Sequence, residues 1–215
     1  MPKGSEELTN ARKDEIISAC AALYETMSFK DITLRDIGER TSFTRTSIYN
    51  SFQTKEEIFL ALMQREYERW VADLEALLTA HEALTAGQFA DELARTLERR
   101  GRLLKLMAMN LYDMEGNSRM ENLVAFKRAY RAALEAVERC LEKFFPAMDA
   151  GDRQAFRYAF FPFLFGVYPY TQATGKQKAA MEAAGIDCPA YSVCEITRPL
   201  VEKLLLPFQD RRAAL

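Results

Sequence analysis

Residues 33–62 read TLRDIGERTSFTRTSIYNSFQTKEEIFLAL and contain the start signals of three helices. Thr33 is followed three positions later by an aspartate, and the same spacing recurs from Thr54 to Glu57. In such a capping box, each side chain bonds the backbone amide of the other residue. Thr44 can cap a third helix between these two. The segment therefore predicts two short helices, a tight turn between them and a longer third helix, which together form a helix-turn-helix.

The second short helix has a polar start and an apolar face. Thr44, Arg45 and Thr46 open it with hydrogen-bonding side chains. Recognition helices read base edges from their N-terminal residues. Ile48 and the phenylalanine four positions later lie on the opposite face and predict packing within the motif. We therefore expect Thr44, Arg45 and Thr46 to contact base edges, with Asn50 as a further candidate.

This segment resembles the signature of the tetracycline-repressor-like (TetR) family of regulators. That signature runs roughly Thr-x-x-x-Ile-Ala-x-x-Ala-Gly-Val-Ser-x-x-x-Leu-Tyr-x-x-Phe-x-x-Lys-Glu-x-Leu. The specific resemblance lies in the first 60 residues, and the rest of the chain agrees with the family in architecture alone. The matching positions are Thr33, Ile37, Phe43, Thr44, Ile48, Tyr49, Phe52, Lys55, Glu56 and Ile58.

The resemblance implies that the chain is a transcription regulator whose head binds double-stranded DNA. It also implies that Thr33, Tyr49 and Lys55 position the head on phosphates. Arg35 joins this candidate set as one of five basic residues between positions 30 and 55, against three acidic ones. Because that excess is small, we expect helix N-termini and hydroxyls to share in phosphate binding.

The segment departs from the family pattern at two positions. Gly38 replaces a usual alanine, and Ser42 replaces a usual turn glycine. A serine in a turn that needs positive φ predicts modest strain. A glycine within a helix costs about 1 kcal/mol relative to alanine, but it lets two helices approach closely.

The spacing of apolar residues along the chain predicts an all-α protein with about nine helices. We expect a three-helix DNA-binding head in residues 1–55, and an effector-binding and dimerisation bundle in residues 56–215. A long fourth helix, residues 55–80, would link the two parts. The other expected helices cover residues 10–27, 88–100, 102–114, 118–145, 152–174, 176–184 and 191–208.

Residues 158–170 are rich in aromatic side chains and raise the question of a membrane span. The run has only thirteen residues and contains Pro162 and Pro169, whereas a span needs about 18 or more apolar residues. We interpret it as a core helix. By resemblance, the last two long helices would form a homodimer interface, and their stripes carry more apolar surface than one subunit readily covers. Phe163 and Leu200 are the residues we place there.

Residues 102–114 are apolar nearly all round, so we expect them to be buried or to line a cavity. Methionine and phenol side chains suit a small aromatic or apolar effector, although the same stripe also fits an ordinary core. Asn110 is the polar candidate, because a buried amide needs a partner. The candidate ligand-binding residues are Met107, Asn110, Leu111, Tyr112, Met114, Phe126, Tyr130, Phe161, Phe165 and Tyr168.

Composition narrows the class of protein. The 215 residues are 49% hydrophobic and 28% charged, with a net charge of −2, as in ordinary soluble domains. The N-terminus is polar, so we expect no signal peptide, no membrane partner and a cytoplasmic location. No nucleophile elbow or glycine-rich phosphate loop occurs, which argues against an enzyme. An all-helical binding or interaction protein without specific DNA binding remains the alternative.

The four cysteines show no metal-binding or redox spacing. Cys20, Cys140, Cys188 and Cys194 are scattered, and His81 is the only histidine in the sequence. We expect reduced thiols, no metal and no cofactor. A redox pair of Cys188 and Cys194 is the minor alternative, since both lie in one turn-rich stretch.

Overall fold

The computed structural model describes residues 3–43, 45–109, 111–187 and 189–208, without the side chains of residues 3–6, 45 and 46. Within these ranges the chain forms eleven α-helices, one 3-10 turn and no strand, which confirms the all-α prediction. No helix in this part of the chain is long and apolar enough to cross a membrane. The helices are α1 Lys3–Thr26, α2 Leu34–Gly38, α3 Arg45–Tyr49, α4 Lys55–Ala80, α5 Ala86–Glu98, α6 Gly101–Met107, α7 Leu111–Gly116, α8 Met120–Phe144, α9 Ala150–Thr171, α10 Gly175–Ala183 and α11 Val193–Leu205, followed by the 3-10 turn Leu206–Phe208.

The chain divides into two compact units, and neither is continuous in sequence. Unit 1 comprises residues 1–66 and 110–130, and unit 2 comprises residues 67–109 and 131–215. Helices α4 and α8 each contribute residues to both units. The expected division at residue 55 thus differs from the compact units, because it leaves out the second segment of unit 1.

Unit 1 has a small core around Phe59 of α4. The Phe59 ring lies edge-to-face against Tyr24 of α1 at 5.2 Å and against Phe29 at 4.8 Å. Ile37 of α2 and Ile48 of α3 are fully buried as well. Helix α1 begins at Lys3, earlier than the expected start near residue 10. Residues 7–10 of this extension are exposed, so no apolar pattern marks them in the sequence.

The two departures from the family pattern have different outcomes. A Cβ on Gly38 would lie 3.3 Å from Cδ1 of Ile48, so the glycine does allow a close approach of α2 and α3. The strain expected at Ser42 is wrong, because no non-glycine residue in the described ranges has a positive φ. Instead, the amide and hydroxyl of Ser42 donate hydrogen bonds to the Glu15 carboxylate on α1.

Unit 2 is a bundle in which α11 packs against α5 and α9, and α6 packs against α9. Trp70 is fully buried, and its Nε1–H donates to the Thr96 hydroxyl at 3.0 Å. The Trp70 ring also contacts Phe161 of α9, with 6.1 Å between ring centroids. At the surface of the unit, the Arg100 guanidinium pairs with both oxygens of Asp73.

The prediction of a single helix over residues 102–114 is wrong. Helix α6 ends at Met107, where the backbone N–H of Ala108 bonds the carbonyls of Leu104 and Leu106, and α7 begins at Leu111. The two helices belong to different units. Because each of them buries apolar residues, the run is apolar throughout, and the sequence shows the burial but not the break.

We expect Gly38→Leu to destabilise the protein by about 1–3 kcal/mol, because its Cβ would lie 3.3 Å from the side chain of Ile48, which is fully buried. Gly116→Leu is the matched control, since no described atom lies within 4 Å of its Cβ position. Urea unfolding of both variants and the wild type measures the effect. Equal loss of stability in the two variants would contradict the close approach of α2 and α3.

Candidate nucleic-acid interface

Helix α2 begins with the capping box that the sequence predicts. The Thr33 backbone is extended, its hydroxyl accepts from the Asp36 amide at 3.3 Å, and its own amide donates to Asp36 Oδ2 at 2.8 Å. The Thr33 hydroxyl also donates to that oxygen at 2.7 Å. These side-chain and backbone hydrogen bonds lower the pKa of Asp36. Local contacts therefore fix the first turn of α2.

Four of the predicted DNA contacts are exposed on unit 1. Thr33 and Arg35 lie at the start of α2, whereas Tyr49 and Asn50 lie at the end of α3. The Arg35 side chain is 76% exposed and pairs with Glu39 at 2.8 Å. The hydrogen bond and charge of Glu39 raise the pKa of Arg35. These side chains are accessible to a phosphate, although Glu39 competes with a phosphate for Arg35.

The predicted base-reading residues are described only in part. Thr44 lies outside the described residues, and the structure does not describe the side chains of Arg45 and Thr46. The backbone of both residues forms the start of α3, where a recognition helix would place them. Their contacts with bases remain a prediction.

Lys55 has a structural role that the sequence does not reveal. Its Nζ donates to the carbonyls of Phe29 at 2.8 Å and Ile32 at 3.1 Å. The same Nζ lies 4.3 Å from the centroid of the Phe29 ring. Lys55 thus holds the connector between α1 and α2. A lysine has three N–H donors, and these two carbonyls use two of them. A phosphate contact by Lys55 would therefore use the third donor.

The predicted capping box at the start of α4 is only half formed. The Thr54 hydroxyl accepts from the Glu57 amide at 3.2 Å, as expected. The Glu57 carboxylate, however, bonds the amide of Gln53 at 2.7 Å and the side chain of Arg119. Arg119 lies just before α8, in the second segment of unit 1.

Glu57 is a buried charge with a full set of hydrogen-bond partners. Its side chain is 1% exposed, and burial alone raises its pKa. Hydrogen bonds from the side chain and amide of Arg119 and from the amide of Gln53 outweigh that effect and lower the pKa to about 2. The carboxylate therefore remains ionised in the folded protein at neutral pH. Sequence spacing could not identify this pair, because 62 positions separate the two residues.

The predicted ligand-binding residues fall into both units. Met107 and Phe161 are buried in unit 2, where Phe165 and Tyr168 are half-buried. Asn110 lies outside the described residues. The Tyr112 side chain is 89% exposed, which does not fit the expected wall of a cavity. In unit 1, Met114 and Phe126 are buried, whereas Leu111 and Tyr130 are half-buried.

Unit 2 also has an apolar groove that the sequence analysis did not identify. The groove has a volume of about 650 Å³ and lies between the end of α9, α10 and the start of α11. None of the predicted ligand-binding residues lines it. The sequence signal that could have indicated this groove is the group of proline and aromatic residues on both sides of a turn-rich stretch. The lining residues are Pro169, Tyr170, Ala173, Gln177, Ala180, Met181, Ile186, Asp187, Pro189, Tyr191 and Ile196.

Cys194 has a poorly ionised thiol. Its Sγ donates to the Glu98 carboxylate at 3.1 Å. Burial, followed by the hydrogen bond and charge of Glu98, raises the pKa of Cys194 to about 12. Since the thiolate is the reactive species, this environment disfavours redox chemistry at neutral pH. Cys188, the other member of the suggested pair, lies outside the described residues.

Two family models match the chain, one after the other. Residues 16–62 match the tetR family of bacterial regulatory proteins, and residues 64–205 match the tetracyclin repressor-like C-terminal domain. The chain therefore belongs to the tetR family of bacterial regulators. Members of this family are transcription factors and not enzymes, in agreement with the sequence analysis.

Similar proteins include regulators from several bacteria. An HTH-type transcriptional repressor of Mycobacterium tuberculosis is 30% identical over 101 residues, which cover 46% of this chain and 54% of that protein. An HTH-type transcriptional regulator of Bacillus subtilis, YfiR, is 26% identical over 45% of this chain and 47% of its own length. The chain thus spans about half the length of the curated relatives it matches.

Two solved structures share the fold. One is a protein from Mesorhizobium loti assigned to the TetR family of transcriptional regulators, with a TM-score of 0.64 and 15% identity over 94% of this chain and 98% of that one. The other is the fatty acid degradation regulator FadR from Bacillus halodurans, with a TM-score of 0.55 and 19% identity over 91% and 94% of the two chains. At these identities the likeness shows the fold alone.

The low pKa of Glu57 predicts a pH-dependent contribution to stability. A carboxyl whose pKa is lower in the folded state stabilises the protein above its unfolded pKa, near 4.5, and this contribution is lost as pH falls toward 2. The contribution is on the order of 3 kcal/mol. We therefore expect the wild type to exceed Glu57→Gln in unfolding free energy at pH 7, and this difference to shrink by pH 3.

Urea unfolding at pH 7, 4 and 3 measures this difference. Glu121→Gln is the matched control, because Glu121 also pairs with Arg119, at 3.3 Å, but is 66% exposed. We expect little pH dependence in the difference between that control and the wild type. A difference between wild type and Glu57→Gln that stays constant with pH would contradict the lowered pKa.

Proposed function

We propose that this protein is a transcriptional repressor that binds a two-fold symmetric DNA operator as a homodimer. A small apolar or aromatic effector would release it. The observation that carries the proposal is the α2–turn–α3 motif of unit 1, with Thr33, Arg35, Tyr49 and Asn50 exposed. The family models support a regulator of this kind. A gel shift with genomic DNA fragments tests the proposal. If the protein shifts no fragment specifically, the alternative is favoured, namely an all-helical binding or interaction protein without specific DNA binding.

Base reading and phosphate binding predict different mutant behaviour. Thr44, Arg45 and Thr46 would contact base edges, and Arg35 would contact a phosphate. We expect Arg45→Ala to cost about 1–3 kcal/mol on the operator and to relax specificity at one base pair. Arg35→Ala should weaken all sequences alike and flatten the salt dependence by about one unit per lost contact.

Fluorescence anisotropy with operator and random DNA, over a range of salt concentrations, separates the two roles. Arg131→Ala is the matched control, because Arg131 is 77% exposed and also pairs with a glutamate four residues away. The control should bind as the wild type does. If Arg45→Ala loses affinity equally on both DNAs, the assignment of base contacts is wrong.

The dimer would form through α9 and α11. Phe163 of α9 and Leu200 of α11 are half-buried in the single chain, and Tyr158, Tyr170 and Leu206 are exposed large apolar residues of the same region. A single head spans only a few base pairs, whereas two heads one helical turn apart can select a site in a genome.

We expect Phe163→Glu or Leu200→Glu to give folded monomers that do not bind the operator. Sedimentation measures the oligomeric state, and anisotropy measures binding. Val124→Glu, at a 39% exposed site in unit 1, should leave the dimer intact. If a variant that is shown to be monomeric at nanomolar concentration binds the operator with full affinity, the dimer proposal is wrong.

Effector release would require a link between the bundle and the DNA-binding head. Helix α4 carries residues of both units, with residues 55–66 in unit 1 and residues 67–80 in unit 2. A ligand that tilts this helix would change the head spacing away from the roughly 34–36 Å that successive major grooves require. Such coupling is worth about 1–3 kcal/mol, or roughly 5–150-fold in affinity, and it is reciprocal.

We expect truncation of Asn110 or Tyr130 to abolish induction and to leave DNA binding without effector intact. A thermal-shift screen identifies an effector, and anisotropy then measures operator affinity with and without it. Val124→Ala is the matched control, because Val124 is 39% exposed on α8, the helix that also carries Tyr130. A bound effector that leaves operator affinity unchanged would mean that the bundle serves only dimerisation.

A further inference from the structure

Arg119 connects the second segment of unit 1 to the turn that follows the recognition helix. Its guanidinium Nη2 donates to the Ser51 carbonyl at 3.1 Å and to Glu57 Oε2 at 2.9 Å. A second contact joins the same two stretches, since the Thr54 hydroxyl donates to the Asn117 carbonyl at 3.0 Å. Residues 51–57 are therefore bound to residues 117–119 by several polar contacts within one unit.

The Glu57 carboxylate uses both of its oxygens in this connection. Oε1 accepts from the Arg119 amide at 3.0 Å and from Nε at 2.7 Å. Oε2 accepts from Nη2 of Arg119 and from the amide of Gln53. Two bonds on each oxygen match the acceptor capacity of a carboxylate. The geometry needs an arginine, because only a planar guanidinium presents two parallel donors to a carboxylate.

The turn that Arg119 holds is rigidly attached to α3. The amides of Ser51 and Phe52 both donate to the carbonyl of Ile48, at 2.9 and 2.8 Å. Ile48 is fully buried, and Phe52 is 3% exposed. Fixing the Ser51 carbonyl therefore fixes the C-terminal end of α3. Since Glu57 lies in the first turn of α4, the guanidinium sets the position of α3 relative to that helix.

We propose that Arg119 is a positioning residue for DNA recognition, which holds α3 at the angle to α4 that the operator requires. The proposal rests on the proposed DNA-binding function. It makes residues 110–130 a part of the DNA-binding head, although they lie far from the helix-turn-helix in sequence.

The central test compares Arg119→Met with the double variant Glu57→Gln/Arg119→Met. Arg119→Met leaves the buried carboxylate without its cation and lowers stability, whereas the double variant removes both charges and should recover part of that stability. Arg131→Met is the matched control on the exposed face of α8. All binding is measured at a temperature at which urea unfolding shows each variant to be folded.

We expect both Arg119 variants to bind the operator at least ten-fold more weakly than the wild type. Affinity for random DNA should change by no more than about two-fold, because phosphate contacts survive a small change in helix angle. A purely structural role would leave the folded variants with wild-type operator affinity. Operator affinity within two-fold of wild type in either Arg119 variant would overturn the proposal.

A second readout does not depend on DNA. The backbone amide resonances of residues 48–53 should shift in Arg119→Met and remain unchanged in Arg131→Met. If the wild type selects no operator, the proposed DNA-binding function fails, and these resonances alone then show whether Arg119 positions α3. Unchanged resonances in Arg119→Met would overturn the positioning role.

Discussion

The buried carboxylate of Glu57 joins two stretches of chain that lie 62 residues apart. Removing an ionised group from water is costly, and that cost is recovered only when the group is fully bonded. Two amides and the Arg119 guanidinium supply those bonds. The same bonds stabilise the ionised form and so lower the pKa of Glu57. The position of the turn after α3, and hence of α3 itself, depends on this arrangement.

Other polar side chains fix further parts of the head, one within a helix start and two between segments that are distant in sequence. The Thr33–Asp36 capping box starts α2, Glu15 fixes the turn at Ser42, and Lys55 bonds two carbonyls of the α1–α2 connector. Each of these side chains satisfies backbone groups that would otherwise lack partners. The polar residues of the motif thus divide between those that build the head and those that remain exposed on it, such as Arg35 and Asn50.

The sequence predicted what depends on short spacing. The helical class, the α2 capping box and the exposed position of Arg35 follow from patterns within a few residues. The Glu57–Arg119 pair and the structural role of Lys55 do not, because each depends on contacts with distant residues. The break between α6 and α7 falls within a continuous apolar run, so the spacing of apolar residues does not mark it. The spacing from Thr54 to Glu57 correctly indicated a cap, but the carboxylate has a partner that no local rule could supply. At Tyr112 the sequence predicted burial because its neighbours are apolar, but the residue is exposed.

Amide hydrogen exchange at Gln53 and Arg119 tests most directly whether the two segments form one folded head. Both amides bond the same carboxylate, so we expect both to be protected and to exchange through a common opening. Glu57→Ala should accelerate both together, while the amide of Trp70 in unit 2 keeps its wild-type rate. An Arg119 amide that exchanges as fast as a solvent-exposed loop in the wild type, while Gln53 remains protected, would contradict this account.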